Sequence, residues 1–444
     1  MDLNSTTVIW ACVAGAVAVP VLLLLRSGRR DVLPYLAGYF AFFGLGPALN
    51  HVLGREIYPG IAIDKIGAAS FGLLLAFLAM LVVGVVVPVR RGALDRTRID
   101  QPEHRLPLLV PFLLALALYA LTIMALHGPA MLSGNKLDRI TLAGPWHYDY
   151  LLLQTMACSL YFAARSTRLG TIAYAVNVAC YVGYCLATNE RDFLFALFSV
   201  LLHVQLFRRR AMSLRLALIG VAGVVLATFL ASIRSPGVGI GTTRALNEGT
   251  VMFPDTYVMS LVPHQLPFAH GGTYWDAVQG VLPIGPQYAL AQWLVDSYAP
   301  GSPGGYGFSL TAEAYLNFGL VGIPLVFAAL TAVQRFLVNR AVRGGFYTYA
   351  SVLFTVTWMY NFRGESFALV KTLVYGAVLY GILHLSGKVL RTYGRDRKTS
   401  APVAGSAAGI GARPGRIGAA AGRVGVNRPA AVLARTRRAP RGAS

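Results

Sequence analysis

Three arginines and one glutamate carry the chemistry this chain is equipped for. Arg191, Arg234 and Arg363 stand in TNERDFLF (Thr188–Phe195), SIRSPG (Ser232–Gly237) and NFRGES (Asn361–Ser366), each at the end of a long apolar run. A guanidinium is planar, always charged and rich in paired N–H donors, so it grips phosphate through bidentate bonds of about 1.5–3 kcal/mol each. Taken singly, each arginine also fits an interfacial anchor or a local ion pair with Glu190, Asp192 or Glu365. Taken together, they describe an anion-binding mouth suited to a lipid pyrophosphate. Glu313 lies in GGYGFSLTAEAYLNFGLVG (Gly304–Gly322), about one turn inside an apolar helix, and Asn317 four residues on shares its face. A carboxylate at membrane depth needs a reason. It either complements the positive end of its own helix or, desolvated, serves as a general base.

The elements that position these groups follow from hydropathy. The chain has 444 residues, 56% hydrophobic and 13% charged, which is too apolar for a water-soluble domain of that size. Unpaired amides are costly in hydrocarbon, so the Leu-, Ala- and Val-rich runs, which lack barrel alternation, must be helices. They read as Thr7–Leu25, Val32–Leu53, Ile66–Val89, Leu106–Leu126, Trp146–Ala163, Thr171–Leu186, Phe193–Phe207, Met212–Ile233, Leu310–Val333, Phe346–Tyr360 and Phe367–Leu385. The expected fold is an all-α, polytopic membrane helix bundle of about 11 transmembrane helices.

Placing the N-terminus outside gathers Arg26, Arg29, Arg30, the Arg90–Arg105 group, Arg165, Arg168, the Arg208–Arg215 group, Arg335, Arg340 and Arg343 on the inner side. Few acids oppose them there, a strong positive-inside bias. The net charge of +21 is therefore expected to be cytoplasmic, and no nucleic-acid role is implied. The MDLNSTT start has no basic residue, so the first span reads as an uncleaved anchor. Cys12, Cys158, Cys180 and Cys185 all fall within spans and offer neither a disulfide framework nor a CxxC pair. His264 and His270, with no HExxH and no D-x-D in the outer loops, do not suggest a metal site.

The expected division is a bundle over residues 1–386, which includes an extracytoplasmic loop at 234–309, and a basic, disordered cytoplasmic tail at 387–444. The tail carries 13 basic residues and one acid, a composition that cannot bury a core and that either attracts anionic lipid weakly or is dispensable. The loop is aromatic and Gly/Pro-rich, with Gln287–Tyr298 spaced as an interfacial helix. Its rings belong to a headgroup-level belt or stack on sugars, which makes His264, Tyr274 and Trp275 candidate substrate contacts beside Arg244, Tyr315 and Asn317.

At Gly307, Ser309, Glu313, Tyr315, Asn317, Phe318 and Gly319 the chain resembles the bacterial O-antigen polymerase family, the oligosaccharide repeat-unit polymerases. The resemblance extends to Arg191, to the large loop before the motif and to the Arg363-Gly364 turn. It implies a glycosyltransferase-C-like, metal-independent enzyme without cofactor, moving a growing glycan from one polyprenyl-pyrophosphate carrier to the next repeat unit in the bacterial cytoplasmic membrane. By the same resemblance Arg191, Arg234 and Arg363 hold the leaving pyrophosphate and Glu313 deprotonates or orients the acceptor hydroxyl. Gly271–Pro286 looks like the family's Gly-x-x-Tyr…Pro segment, but Ile284 stands where an arginine is often expected, leaving Arg244 as the substitute. A flippase and a chain-length regulator are the implied protein partners, with membrane lipids around the bundle. A ligase-like transferase would use the same donor, and a lipid-linked oligosaccharide flippase would also want such arginines. The flippase would call for a midplane site, whereas the interior here offers chiefly Lys371 and Asn177 and no paired broken helices.

Overall fold

The computed structural model describes residues 5–28, 30–55, 57, 60–90, 106–132, 136–164, 167–188, 190, 192–207, 251–282, 289–300 and 307–399. Every regular element among them is helical. In chain order these are α1 (Ser5–Ser27), α2 (Leu33–Gly44), α3 (Gly46–Val52), α4 (Ile66–Val86), α5 (Leu109–His127), α6 (Lys136–Ala143), α7 (His147–Ala163) and α8 (Arg168–Thr188). They continue as α9 (Phe193–Phe207), α10 (Met252–Leu261), α11 (Gly272–Gln279), α12 (Leu290–Tyr298), α13 (Leu310–Arg340), α14 (Gly345–Asn361) and α15 (Ser366–Thr399). Six stretches among the described residues are long and apolar enough to cross a membrane: Ser5–Ser27, Ile63–Val86, Leu109–Met131, Arg168–Thr188, Leu310–Arg343 and Ser366–Leu390. The expected span Met212–Ile233, the arginines of 91–105 and the chain beyond Thr399 lie outside the described residues.

Most of the expected helix ends hold within a few residues; α13 runs on to Arg340, past the expected Val333, and two further departures are informative. The run Val32–Leu53 is divided at Leu45 into α2 and α3, because Pro47 in the first turn of α3 has no N–H to bond back into α2. The last helix continues past the Ser386 boundary to Thr399.

Residues Met1–Tyr393 pack as one unit. Two apolar cores lie within it, one built from α1, α2, α4, α10 and α13, the other from α5, α7 and α8. Helix α14 serves both, giving Val352, Val356 and Trp358 to the first and Tyr349 and Leu353 to the second. Several polar side chains within the bundle pair with one another, which offsets their desolvation. Gln154 and Asn177 exchange two amide bonds of 3.0 and 2.8 Å across α7 and α8. Arg335, near the end of α13, donates twice to the Asp31 carboxylate before α2, each bond 2.6 Å long and the pair fully buried. That pair neutralises one of the arginines counted on the inner side, and leaves the bias of the others unchanged. Lys371 lies 3.8 Å from Asp149 and over the rings of Phe367 and Tyr375.

Candidate active site

The GxSxxxExYxNFG stretch folds as the beginning of α13, and each of its polar residues has a structural assignment. Ser309 caps the helix by accepting the Ala312 N–H at 2.9 Å, so an orphan amide of the first turn is satisfied. The same hydroxyl donates to Asp255 of α10 at 2.5 Å, and Thr311 donates to that carboxylate at 2.7 Å. Asp255 is buried beneath the helix start, and burial pushes its pKa up to about 7 against the pull of the Ser309 and Thr311 hydroxyls.

Glu313 is also buried, and its carboxylate reaches two other elements. One oxygen accepts from Thr273 of α11 at 3.0 Å and from the Ser366 hydroxyl at 2.5 Å; the other accepts the Ser366 backbone N–H at 2.6 Å. Ser366 opens α15. Glu313, in the first turn of its own helix, therefore also complements the positive end of a neighbouring one, a placement no periodicity in the sequence specifies. Asn317 locks the arrangement: its amide donates to Thr273 at 2.6 Å and to the Glu313 carbonyl at 2.8 Å, and accepts the Gly271 N–H at 2.8 Å.

Directly after Asn317 the helix breaks. Phe318 and Gly319 leave helical geometry, Gly319 at a φ of 64° that a Cβ would resist and with the Phe268 ring 3.3 Å from where that Cβ would stand. The carbonyls freed by the break are taken by the chain ahead of α11: Ala269 N–H bonds Leu316 O at 2.9 Å and His270 N–H bonds Asn317 O at 3.1 Å. His270 is itself held at a φ of 48°, a strained conformation for a non-glycine residue that these bonds sustain. The sequence reading offered no paired broken helices, and this break within α13 is a single one. Its open carbonyls are occupied by protein backbone rather than left facing an ion path.

Beside Glu313 lies a cavity of about 330 Å3, lined by Phe268, Thr273, Asp276, Trp293, Glu365 and Phe367 among others. Three carboxylates border it: Asp276, Glu313 and Glu365. Glu365 accepts the Leu290 N–H at 2.5 Å and bonds the Ala291 N–H, so it caps α12. Burial raises its pKa to about 7, the Leu290 bond opposes that, and the nearby Glu313 charge adds to it. Aromatic walls with a few convergent polar groups are what a sugar-sized ligand needs.

The sequence-derived candidates divide accordingly. Glu313 and Asn317 meet at the cavity with Thr273. Tyr315 is half-buried, its hydroxyl 3.4 Å from the Val262 carbonyl and its ring edge-on to Phe268. Tyr274 stacks on Phe318, Trp275 beside it is exposed, and His264 is exposed in the connection after α10. Arg363 does not line the cavity; it sits in the turn between α14 and α15 with its guanidinium 5.4 Å from the Phe43 ring centre, close enough to act on Tyr39 and Tyr360. Its carbonyl would stand 3.3 Å from a Cβ at Gly307 (φ 73°), which explains the first glycine of the motif. Arg191, Arg234 and Arg244 lie outside the described residues. The acids flanking Arg191 are engaged: Glu190 faces His147 at 3.3 Å, and His147 in turn meets the Tyr184 hydroxyl at 2.8 Å, while Asp192 bonds Tyr360.

The helix Gln287–Tyr298, expected at the membrane surface, is described as the shorter α12. Its Leu294 and Val295 are buried in the protein, so its apolar face is covered by the bundle instead of lipid. Asp255 and Glu365 were not identified as site residues in the sequence, since only tertiary contacts bury them. The sole hint was the density of Ser and Thr about the motif that Asp255 serves.

Fold and site together define a multi-pass, all-helical membrane protein with an acid-bordered, aromatic-walled cavity at a helix start. Residues 287–394 match the family O-antigen polysaccharide polymerase Wzy. That match spans about a quarter of the chain and is a likeness to the O-antigen polymerase family. Neither a curated protein nor a solved structure matches the chain.

Proposed function

We propose that the chain joins polyprenyl-pyrophosphate-linked oligosaccharide repeat units into a cell-surface polysaccharide, on the extracytoplasmic face of the bacterial cytoplasmic membrane and without a metal. The observation that carries this reading is that the family match, residues 287–394, encloses Glu313, Arg363 and Glu365. In the reaction an acceptor sugar hydroxyl attacks the anomeric carbon of the carrier-linked glycan. The C–O bond to the diphosphate breaks, its electron pair leaves with the diphosphate, and the hydroxyl proton passes to a carboxylate. The oxocarbenium-like centre and the departing anion are what fixed charges stabilise. Glu313 orients the acceptor hydroxyl within the cavity. Glu365, poised near neutrality on the same cavity, is the second group able to take the proton. Arg363, with Arg191 and Arg234, receives the diphosphate, and Trp293 and Phe268 offer faces for sugar stacking.

Purified protein given a lipid-pyrophosphate-linked repeat unit should build a ladder of longer glycans without nucleotide sugar or divalent metal. Glu313→Gln should lower the rate by about 10²-fold or more, the usual scale for a lost acid–base group, with the protein still folded in the membrane. Elongation only from nucleotide sugars, or full activity in Glu313→Gln, contradicts the reading.

A further inference from the structure

Helix α11 has two faces of different character. Thr273 and Ala277 turn inward, the first to Glu313 and both to the cavity. On the other side Trp275, Val278 and, a turn further, Leu282 are 63%, 51% and 61% exposed. Leaving that much apolar surface in water is unfavourable by about 25 cal/mol for each Å2.

The patch is not isolated. Tyr274, on the same side of α11, stacks on Phe318 with ring centres 6.3 Å apart. Phe318 begins an exposed apolar stripe on α13 that continues through Val321 and Leu325. Helix α13 is long and apolar enough to cross a membrane, and side chains exposed along such a helix face acyl chains. The lipid-facing stripe of a spanning helix thus runs directly onto α11. A short helix with an apolar face led by tryptophan, with Gln279 at the edge of that face and Asp276 turned to the cavity, has the composition of one that lies in the headgroup region.

We infer that α11 is an interfacial helix, its Trp275–Val278–Leu282 face resting in the surface of the bilayer that α13 crosses. Through Thr273 and Glu313 the height of the cavity is then referred to the lipid surface. If the polymerase reading above holds, on which this last consequence rests, that is the depth at which a carrier lipid presents its diphosphate and first sugar.

The test uses the full chain in phosphatidylcholine–phosphatidylglycerol vesicles whose acyl chains are brominated either near the headgroup or near the chain end. The Trp275 contribution is the emission lost in Trp275→Phe. It should be quenched about twofold more by the shallow bromines than by the deep ones, as for a ring at the interface. Emission unquenched by either lipid, whether water or another protein covers the ring, overturns the inference, and so does stronger quenching by the deep bromines. Should Trp275→Phe fail to assemble, a spin label at Val278→Cys, read as the difference from wild type, reports the same depth: oxygen must reach it more readily than a water-soluble nickel complex, and the reverse order overturns the inference. No glycan is needed, so the lipid contact can fail while polymerisation stands, and the converse.

Discussion

Glu313 and Glu365 meet the same short stretch of chain in different ways. Ser366 gives its N–H and hydroxyl to Glu313, while its neighbour Glu365 turns to the amides of α12. Two carboxylates on one cavity repel, so the Glu313 charge adds to the effect of burial on Glu365. Glu365 accordingly titrates at about 7 instead of its ordinary 4.5, chiefly through burial. The sign follows from proton binding: between 4.5 and about 7 the folded protein holds this proton and the unfolded chain does not. Stability must therefore fall as pH rises through that window and level off beyond it. Asp255, raised from 3.8 to about 7, acts in the same direction. Thermal unfolding measured from pH 5 to 8 should show wild type losing stability with rising pH, Glu365→Gln losing less, and Glu365→Gln with Asp255→Asn losing less again. An unchanged slope in the double variant would refute the assignment of those protons.

At the scale of elements, α13 is held at two places by different physics. Near its start, the break at Phe318–Gly319 is sustained by backbone bonds from the chain before α11 and by a glycine in the left-handed region. Gly319→Ala brings a Cβ to within 3.3 Å of the Phe268 ring and places a side chain in an essentially glycine-only backbone region, at a cost of about 1–3 kcal/mol. The expected result is a lower unfolding temperature together with reduced activity, because the loop that carries Thr273 to Glu313 is anchored on that break. Near its end, the buried Arg335–Asp31 pair fastens α13 to the connection before α2. Removing one partner strands a charge in the core, so Asp31→Asn or Arg335→Met should each cost about 3–5 kcal/mol, whereas the two together should cost much less. A double-mutant cycle on thermal or denaturant unfolding measures the difference, and additive losses would show that the pair is not coupled.

For the whole molecule, membrane insertion follows from composition, and the charge pattern proposes an orientation. With the N-terminus outside, a reporter inserted in the Arg-rich segment 91–105 should read as cytoplasmic, and one inserted between residues 262 and 272 should read as external. The opposite pattern would move the proposed reaction to the other face. Hydropathy alone marked most helices of the bundle to within a few residues, because a run of some 20 apolar residues in lipid has one way to satisfy its amides. The motif around Glu313 and Asn317 was equally legible, since four-residue spacing puts both on one face. What the linear pattern could not specify was every contact made across elements. The broken α13, the burial of Asp255 and Glu365 and the covered face of α12 each depend on what another element places opposite. Local chemistry and hydropathy determined that this chain is a helical membrane protein carrying an acid at a helix start. Tertiary structure alone decided that the acid caps a different helix and shares a cavity with a second carboxylate, because desolvation and Coulomb coupling act through space between residues far apart in the chain.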